Sequence, residues 1–305
     1  MPGKAEILRK LHQGPRILVL PNAWDVASAR IFEVTGFPAI ATTSAGVANS
    51  LGYPDVERIP RNEMLWMVKR IAQAVSVPVT ADVEAGYGDP VGTARAVLDA
   101  GAVGMNLEDS SLDGSLTNLA AQVRLIEQVR AASDIVINAR TDVFLLAVGD
   151  EATRFDRTVE RLNAYRKAGA DSLFVPGVRD HETIGRLAKA VNGPLNILAT
   201  AGVPNMPELE RLGVRRVSVG SGPMRASMGL TQRIARELKE HGTFTSMTDG
   251  AMPYLDANQL FMKLRSSLDG IAGPRSKVDL DRFRRRGSLL SFGDGFDPAA
   301  ARTAL

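Results

Sequence analysis

The sequence predicts an α/β protein, a (β/α)₈ barrel of the TIM type with an N-terminal helix and a C-terminal helical extension. Eight short runs rich in Val, Ile and Leu alternate with helical stretches over about 240 residues, which is the element count of such a barrel. The runs are continuously apolar, which indicates strands buried on both faces by covering helices. A doubly wound open sheet is the alternative. The chain lacks the glycine-rich dinucleotide fingerprint that would favour it.

The predicted elements follow one another along the chain with short connections. Strands are expected at 16–21, 38–44, 77–84, 103–109, 134–142, 172–177, 194–199 and 215–221. Helices are expected at 3–13, 23–35, 60–75, 90–100, 117–132, 150–168, 180–191, 205–212, 223–241 and 255–270. Gly101, Gly169 and Gly213 each precede a strand, where glycine supplies the left-handed residue that ends a helix. We therefore expect a catalytic barrel over 1–254. Residues 255–305 should form a helix and a basic tail that pack on a neighbouring subunit.

Composition excludes several functional classes. The chain of 305 residues has no cysteine, so disulfides, thiol nucleophiles and zinc–thiolate sites are impossible, and a reducing cytoplasm is the expected location. No apolar stretch reaches the roughly 20 residues that span a bilayer, and the N-terminus lacks the core of a secretion signal. The net charge is +3, but residues 274–288 alone carry six basic and two acidic side chains. The remainder is near neutral, which disfavours a nucleic-acid partner. The three histidines are expected on the surface.

Three acidic residues end two neighbouring predicted strands. Asp82 and Glu84 close the third strand and Glu108 closes the fourth, at the barrel end where catalytic residues lie. Residues two apart in a strand point to the same side, so Asp82 and Glu84 should converge. Carboxylates without nearby imidazole or thiolate favour Mg²⁺ or Mn²⁺ over Zn²⁺. The alternative is that these acids cap helices or pair with basic side chains.

Arg140 lies inside an otherwise apolar predicted strand. A buried arginine needs an anionic partner, which is either a substrate carboxylate held by the guanidinium fork or a neighbouring acid, Glu108 or Asp142. Residues 44–46 follow the second strand as a turn of small side chains, which lets backbone N–H groups approach a ligand oxyanion. Both features favour a site for a small carboxylate.

Five segments together resemble a known family. The segments PNAWD, TTSAGVANSLGYPD, ADVEAGYGD, NLED and INARTD occur in the order and spacing seen in the isocitrate lyase/phosphoenolpyruvate mutase superfamily. The similarity extends over about residues 15–265. It implies an eight-stranded barrel with a bound Mg²⁺, acting on a 2-oxo or 2-hydroxy carboxylate. It also implies a homodimer or homotetramer, since members often exchange the helix after the barrel.

The resemblance also assigns roles to individual residues. Asp82 would bind the metal directly, Glu84 and Glu108 mainly through water, and Asp55 would be a further acid near the metal. The substrate-binding residues that it implies, with Asp82 itself, are Ser44, Ala45, Gly46 and Arg140. The metal and the donors would stabilise an enolate formed as a bond next to the carbonyl breaks.

One loop departs from the family pattern. Lyases of the superfamily carry a Lys-Lys/Arg-Cys-Gly-His motif after the fourth strand, whereas the loop here reads EDSSLDGSLTN and has no Cys, His or Lys. Candidates for a replacement acid or base are Ser110, Ser111, Asp113 and Tyr87. The loop also suits a lid, with Gly114 as a flexible point.

These observations predict a Mg²⁺-dependent enzyme that cleaves a carbon–carbon bond, as a lyase, decarboxylase or oxo-acid hydrolase. The candidate catalytic residues are Ser44, Tyr87, Glu108 and Arg140. One alternative is phosphorus–carbon chemistry of the phosphoenolpyruvate mutase or phosphonopyruvate hydrolase type, which the missing loop lysine disfavours. The other alternative is a barrel that binds an oxo acid without converting it. The sequence does not specify the substrate or the proton donor.

Overall fold

A computed structural model describes residues 3–111 and 113–268 and confirms the predicted barrel. Nine parallel strands form one sheet in the order β1-β9-β8-β7-β6-β5-β4-β3-β2. Their bounds are β1 Leu18–Leu20, β2 Asn22–Ala23, β3 Ile40–Thr42, β4 Val79–Asp82, β5 Gly104–Glu108, β6 Val136–Arg140, β7 Ser172–Val175, β8 Leu195–Leu198 and β9 Arg216–Ser218. The barrel lies in a compact unit that extends to Leu260.

The first predicted strand is divided into two because proline interrupts it. Pro21 has no N–H to donate to a neighbouring strand. The segment before it, β1, pairs with β9, and the segment after it, β2, pairs with β3. The first strand therefore contacts the last and the second, which brings the two edges of the sheet together.

Helices cover the outside of the sheet and follow the predicted order. Their bounds are α1 Lys4–Gln13, α2 Val26–Val34, α3 Ser44–Ser50, α4 Arg61–Ala74, α5 Pro90–Asp99, α6 Leu119–Ala132, α7 Glu151–Lys167, α8 His181–Ala190, α9 Met206–Leu212, α10 Gly222–Glu240, α11 Thr245–Thr248 and α12 Tyr254–Leu268. The short helices α3 and α11 were not predicted. The expected basic tail lies outside the described residues. None of the helices described is both long and apolar enough to cross a membrane.

Local signals explain where several helices start and stop. Gly101, Gly169 and Gly213 have φ angles of 92°, 110° and 97°, the left-handed region that favours glycine. Asp25 caps α2 by accepting a hydrogen bond from the Ser28 backbone N–H at 2.7 Å. The predicted glycine stops are thus confirmed.

Helix α1 packs against one end of the barrel interior. Leu8 is fully buried and clusters with Leu18 and Val136, which begin their strands, so α1 covers the amino-terminal end of the barrel. The expectation that all three histidines lie on the surface is wrong for His12, which is 2% exposed. Its Nδ1 lies 2.7 Å from the Leu8 carbonyl oxygen. Burial follows because His12 is one turn beyond Leu8 on the same face of α1.

Candidate active site

A column of polar side chains inside the barrel supports Asp82, the first candidate metal-binding residue. Ser172 donates to the Asn138 amide oxygen at 2.6 Å, and Asn138 donates to the Asn106 amide oxygen at 2.8 Å. Asn106 in turn donates to Asp82 Oδ1 at 3.1 Å. All four side chains are buried, so this chain of hydrogen bonds fixes the Asp82 carboxylate from the barrel interior.

The other oxygen of Asp82 is held by the start of α3. Ser44 donates its backbone N–H and its hydroxyl to Asp82 Oδ2, both at 3.0 Å. The Asp82 backbone N–H donates to Thr42 Oγ1 at 2.8 Å, so β3 and β4 are joined at this point. Oδ1 accepts one hydrogen bond where a carboxylate oxygen can accept two, which leaves it able to bind a cation.

Residues 44–46 form the first turn of α3. The Gly46 N–H donates to Thr43 Oγ1 at 3.3 Å, and Ala45 follows Ser44 directly at the helix start. A Cβ atom at position 46 would lie 2.9 Å from Trp24 Cβ, so this turn packs too closely against Trp24 for any residue except glycine. The donors of Ser44 contact Asp82, and substrate binding by this turn stays a prediction.

Glu84 is held by a loop that sequence analysis did not identify. The Glu57 backbone N–H donates to Glu84 Oε2 at 2.7 Å, and the Glu57 carboxylate accepts from the Tyr87 backbone N–H at 2.8 Å. Val56, Glu57, Glu84 and Tyr87 all have positive φ, between 47° and 69°. Such conformations are costly for side chains other than glycine and persist where the surrounding contacts enforce them. The loop that contains Glu57 and the loop after β4 therefore hold each other in position beside the acids.

Glu84 and Tyr87 carry buried oxygens that lack partners. Glu84 Oε1 and the Tyr87 hydroxyl have no hydrogen-bond partner among the described residues. Burial, followed by the charges of Asp82, Asp55 and Glu108, raises the pKa of Glu84 to about 9. Burial and the charge of Glu84 raise the pKa of Tyr87, so its hydroxyl stays protonated at neutral pH. A carboxylate oxygen that lacks a partner and lies among like charges is suited to binding a cation.

Asp55 and Glu108 complete the acidic group. Burial and then the charge of Asp82 raise the pKa of Asp55, and the charge of Arg140 opposes the rise. Burial also raises the pKa of Glu108, against the effect of Arg140. Within residues 3–111 and 113–268, no three acidic or histidine side chains stand close enough to ligate one ion directly. The predicted acids thus share one electrostatic environment, and direct metal binding by Asp82 stays a prediction.

Arg140 pairs with two acids on the inner face of the barrel. Its Nη1 lies 2.7 Å from Glu108 Oε2, and its Nε and Nη2 lie 2.6 and 2.9 Å from the two carboxylate oxygens of Asp142. Both acids raise the pKa of Arg140, which is therefore permanently charged. The fork has five N–H groups and three are used, so one on Nη1 and one on Nη2 remain for a substrate carboxylate. Arg140 can therefore keep its ion pairs with both acids and still donate to a substrate carboxylate.

Ser110 is the loop candidate that contacts the acids. Its hydroxyl lies 2.8 Å from Glu108 Oε1 and 2.8 Å from Asp142 Oδ2. Asp113 is exposed, and its carboxylate accepts from the Ser115 N–H and hydroxyl, which identifies it as a turn residue. The Ser111 backbone N–H donates to the Ser115 carbonyl at 2.8 Å. Of the four proposed acids or bases, Ser110 and Tyr87 therefore lie near the acidic group.

A buried network behind the site was missed by sequence analysis. Asp109 is fully buried and its Oδ2 accepts from Arg161 Nε and from the Tyr165 hydroxyl, each at 2.7 Å. Its Oδ1 accepts the Asp142 backbone N–H at 3.0 Å. This network ties α7 to the end of β6 and positions the acid that holds Arg140.

This arrangement of acids on β4 and β5, with an arginine on β6, agrees with the result of a family comparison. Residues 8–239 match the model of the phosphoenolpyruvate phosphomutase family. The chain belongs to this family. It is a member of the wider isocitrate lyase/phosphoenolpyruvate mutase superfamily, so the resemblance inferred from the sequence is confirmed.

Individual relatives support the same assignment. The 2-methylisocitrate lyase of Aeropyrum pernix is 29% identical over 259 residues, covering 80% of this chain and 82% of the relative. The oxaloacetate decarboxylase of Bradyrhizobium diazoefficiens is 28% identical over 260 residues, covering 82% and 87%. A crystal structure from Burkholderia cenocepacia, described as a lyase or mutase, is 39% identical with a TM-score of 0.79, covering 85% and 95%. These family members include enzymes.

Proposed function

We propose that this protein is a Mg²⁺-dependent lyase that cleaves a carbon–carbon bond beside the carbonyl or hydroxyl group of a small 2-oxo or 2-hydroxy carboxylate. The observation that carries the proposal is the group of Asp55, Asp82, Glu84 and Glu108 beside Arg140, in which Glu84 Oε1 is buried without a partner among the described residues. The resemblance to the superfamily implies the metal. The presence of a 2-methylisocitrate lyase and an oxaloacetate decarboxylase among the relatives supports carbon–carbon cleavage.

The donor set fits a hard divalent cation. Carboxylate oxygens without imidazole or thiolate are the ligands that Mg²⁺ and Mn²⁺ prefer. Asp82 would bind the ion directly, and Glu84, Glu108 and Asp55 would hold its water shell. A bound cation would supply positive charge to the substrate oxygen on which negative charge develops as the bond breaks.

The residues of the chain would bind and orient the substrate. The two remaining N–H groups of Arg140 would hold the substrate carboxylate, because Glu108 and Asp142 already fix the guanidinium. The polar column below Asp82 and the Asp109 network behind Asp142 keep both groups in place. The Tyr87 hydroxyl remains protonated at neutral pH, so it would act as a hydrogen-bond donor rather than as a base.

Product formation from a substrate panel tests the proposal. The protein should release pyruvate, glyoxylate or CO₂ from at least one 2-oxo or 2-hydroxy acid when Mg²⁺ is present. EDTA should stop the reaction and added Mg²⁺ should restore it. Phosphate release from phosphonopyruvate would favour phosphorus–carbon chemistry instead, and tight binding without any product would favour a non-catalytic protein.

Two variants separate the metal role from a general effect of charge. Asp82→Ala should abolish metal-dependent turnover, because it removes the direct ligand. Asp99→Ala, at an exposed acid on α5, should retain it. Normal turnover by Asp82→Ala would contradict the metal assignment.

A further inference from the structure

The mouth of the barrel is divided into a charged half and an uncharged half. Register pairs Arg140 on β6 with Phe174 on β7, and Phe174 with Asn196 on β8. Residues paired in register on parallel strands face the same side of the sheet. The inner faces of β7–β9 therefore carry Ser172, Phe174, Asn196, Leu198, Arg216 and Ser218. The acids of the candidate site lie elsewhere at the mouth: Asp82, Glu84 and Glu108 on or directly after β4 and β5, and Asp55 in the segment between α3 and α4.

Phe174 borders the proposed substrate clamp. Its ring centroid lies 5.8 Å from Arg140 Cζ, and its side chain is 5% exposed. Glu108 occupies the corresponding position on the other side of Arg140, in register on β5. A ligand held by Arg140 thus meets an acid on one side and an aromatic ring on the other.

Leu198 extends this apolar wall towards β9. Its Cδ1 lies 3.1 Å from the place where a Cβ on Gly220 would stand, so the side chain packs over the end of β9. It is partly exposed, as expected for a side chain at the rim. Asn196 and Ser218 beside it are neutral, and their side chains lie within 3.4 Å of each other.

The described inner faces of β7–β9 offer a second anion no accessible cation. Arg216 is the one charged side chain on the described inner faces of β7–β9. It is 1% exposed, and its Nη1 lies 3.3 Å from His12 Nε2 of α1, the helix that covers the opposite end of the barrel. Arg179 and Arg225 lie beyond these faces, in the segments after β7 and β9, and their side chains are exposed to solvent.

We propose that Phe174 and Leu198 select a substrate whose distal group is uncharged and apolar. The inference rests on the proposed function and narrows the substrate to a monocarboxylic 2-oxo or 2-hydroxy acid with a short apolar tail. A second carboxylate against Phe174 and Leu198 would lose its hydration without gaining a cation on the inner faces of these strands. Each buried methylene of the tail should instead improve binding about fourfold.

Two stable analogues that share the same chain up to the terminal group test the inference in the Mg²⁺-saturated protein. N-ethyloxamate and N-oxalylglycine share the oxo-carboxylate group and differ only in a terminal methyl or carboxylate. Calorimetric titration should show N-ethyloxamate binding at least tenfold more tightly, and N-propyloxamate about fourfold more tightly again. Equal or tighter binding of N-oxalylglycine would overturn the inference.

Oxalate distinguishes this inference from the proposed function. Oxalate offers the shared pair of oxygens without any tail, so failure to bind oxalate would overturn the proposed function itself. Oxalate binding combined with a preference for N-oxalylglycine would overturn only the apolar wall.

Substitutions at position 198 locate the selectivity. Leu198→Lys should shift the preference towards N-oxalylglycine by at least tenfold, and Leu198→Met should keep the wild-type order. Leu230→Lys adds the same charge at an exposed position of α10 and should not change the order. An unchanged preference in folded Leu198→Lys would show that Leu198 does not contact the tail.

Discussion

The substitution Arg140→Lys tests whether the guanidinium fork, rather than positive charge alone, binds the substrate. Arg140 donates to Glu108 at 2.7 Å and to the two oxygens of Asp142 at 2.6 and 2.9 Å. Three of its five N–H groups are thereby used and two remain. Lysine has three N–H groups on one nitrogen. If it keeps one contact to each acid, a single N–H is left for the ligand.

The expected effect follows from this loss of one donor. A hydrogen bond to a charged group contributes about 1.5–3 kcal/mol, so oxalate should bind about 10- to 150-fold more weakly to Arg140→Lys. Titration calorimetry with Mg²⁺ present measures the dissociation constant, and thermal unfolding checks that the variant is folded. Arg233→Lys, an exposed arginine on α10, is the matched control and should bind oxalate normally. A dissociation constant unchanged by Arg140→Lys would refute the clamp and leave Arg140 as a partner of the two acids alone.

Two further predictions concern stability and pH in the metal-free protein. Burial, with a smaller contribution from Arg216, lowers the pKa of His12 to about 4. His12 therefore becomes protonated near pH 6.5 in the unfolded chain but only near pH 4 in the native state. The free energy of unfolding should fall by up to about 3 kcal/mol as the pH drops from 6.5 to 4. Chemical denaturation of His12→Gln should lack this slope, and an equal slope in the variant would refute the assignment. The pH dependence that Glu84 contributes has the opposite sign. Its pKa in the native state, about 9, exceeds the ordinary value of 4.5, so the free energy of unfolding should fall as the pH rises from 4.5 to 9. Glu84→Gln should remove that fall and weaken Mg²⁺ binding, and a variant that titrates like the wild type would contradict the like-charge explanation.

Much of the fold could be predicted because the local residue preferences along the chain agree with the elements that form. Short buried strands and glycine-terminated helices are visible in the residue pattern, and Gly101, Gly169 and Gly213 adopt the left-handed conformation expected of them. The break at Pro21 could have been foreseen from the missing N–H. Helix α3 could not, because SAGVANS has weak helix propensity and short helices depend on tertiary contacts.

The positions of the candidate site residues were also visible in the sequence, since β4, β5 and β6 end at Asp82, Glu108 and Arg140, within two residues of the predicted strand ends at 84, 109 and 142. Contacts between distant loops were not. Glu57 holds Glu84 through its backbone N–H, a group present in every residue except proline, so no residue type signals it. The Asp109–Arg161 pair joins residues 52 positions apart, and nothing in either local pattern marks the other.

The burial of His12 has a similar origin. Its place on α1 follows from helical periodicity, but periodicity cannot tell which end of a barrel a terminal helix will cover. The contact with Arg216, which is 204 positions away in the chain, depends on that docking.

A crystal structure with Mn²⁺ and oxalate is the most direct test of the metal assignment, because Mn²⁺ can be located by anomalous scattering. We predict an ion bonded directly to an Asp82 carboxylate oxygen, with Glu84 and Glu108 contacting its water ligands and oxalate completing the coordination. An ion bound elsewhere, or a barrel mouth in which these acids contact only Ser44, Glu57 and Arg140 while oxalate binds without metal, would contradict the account.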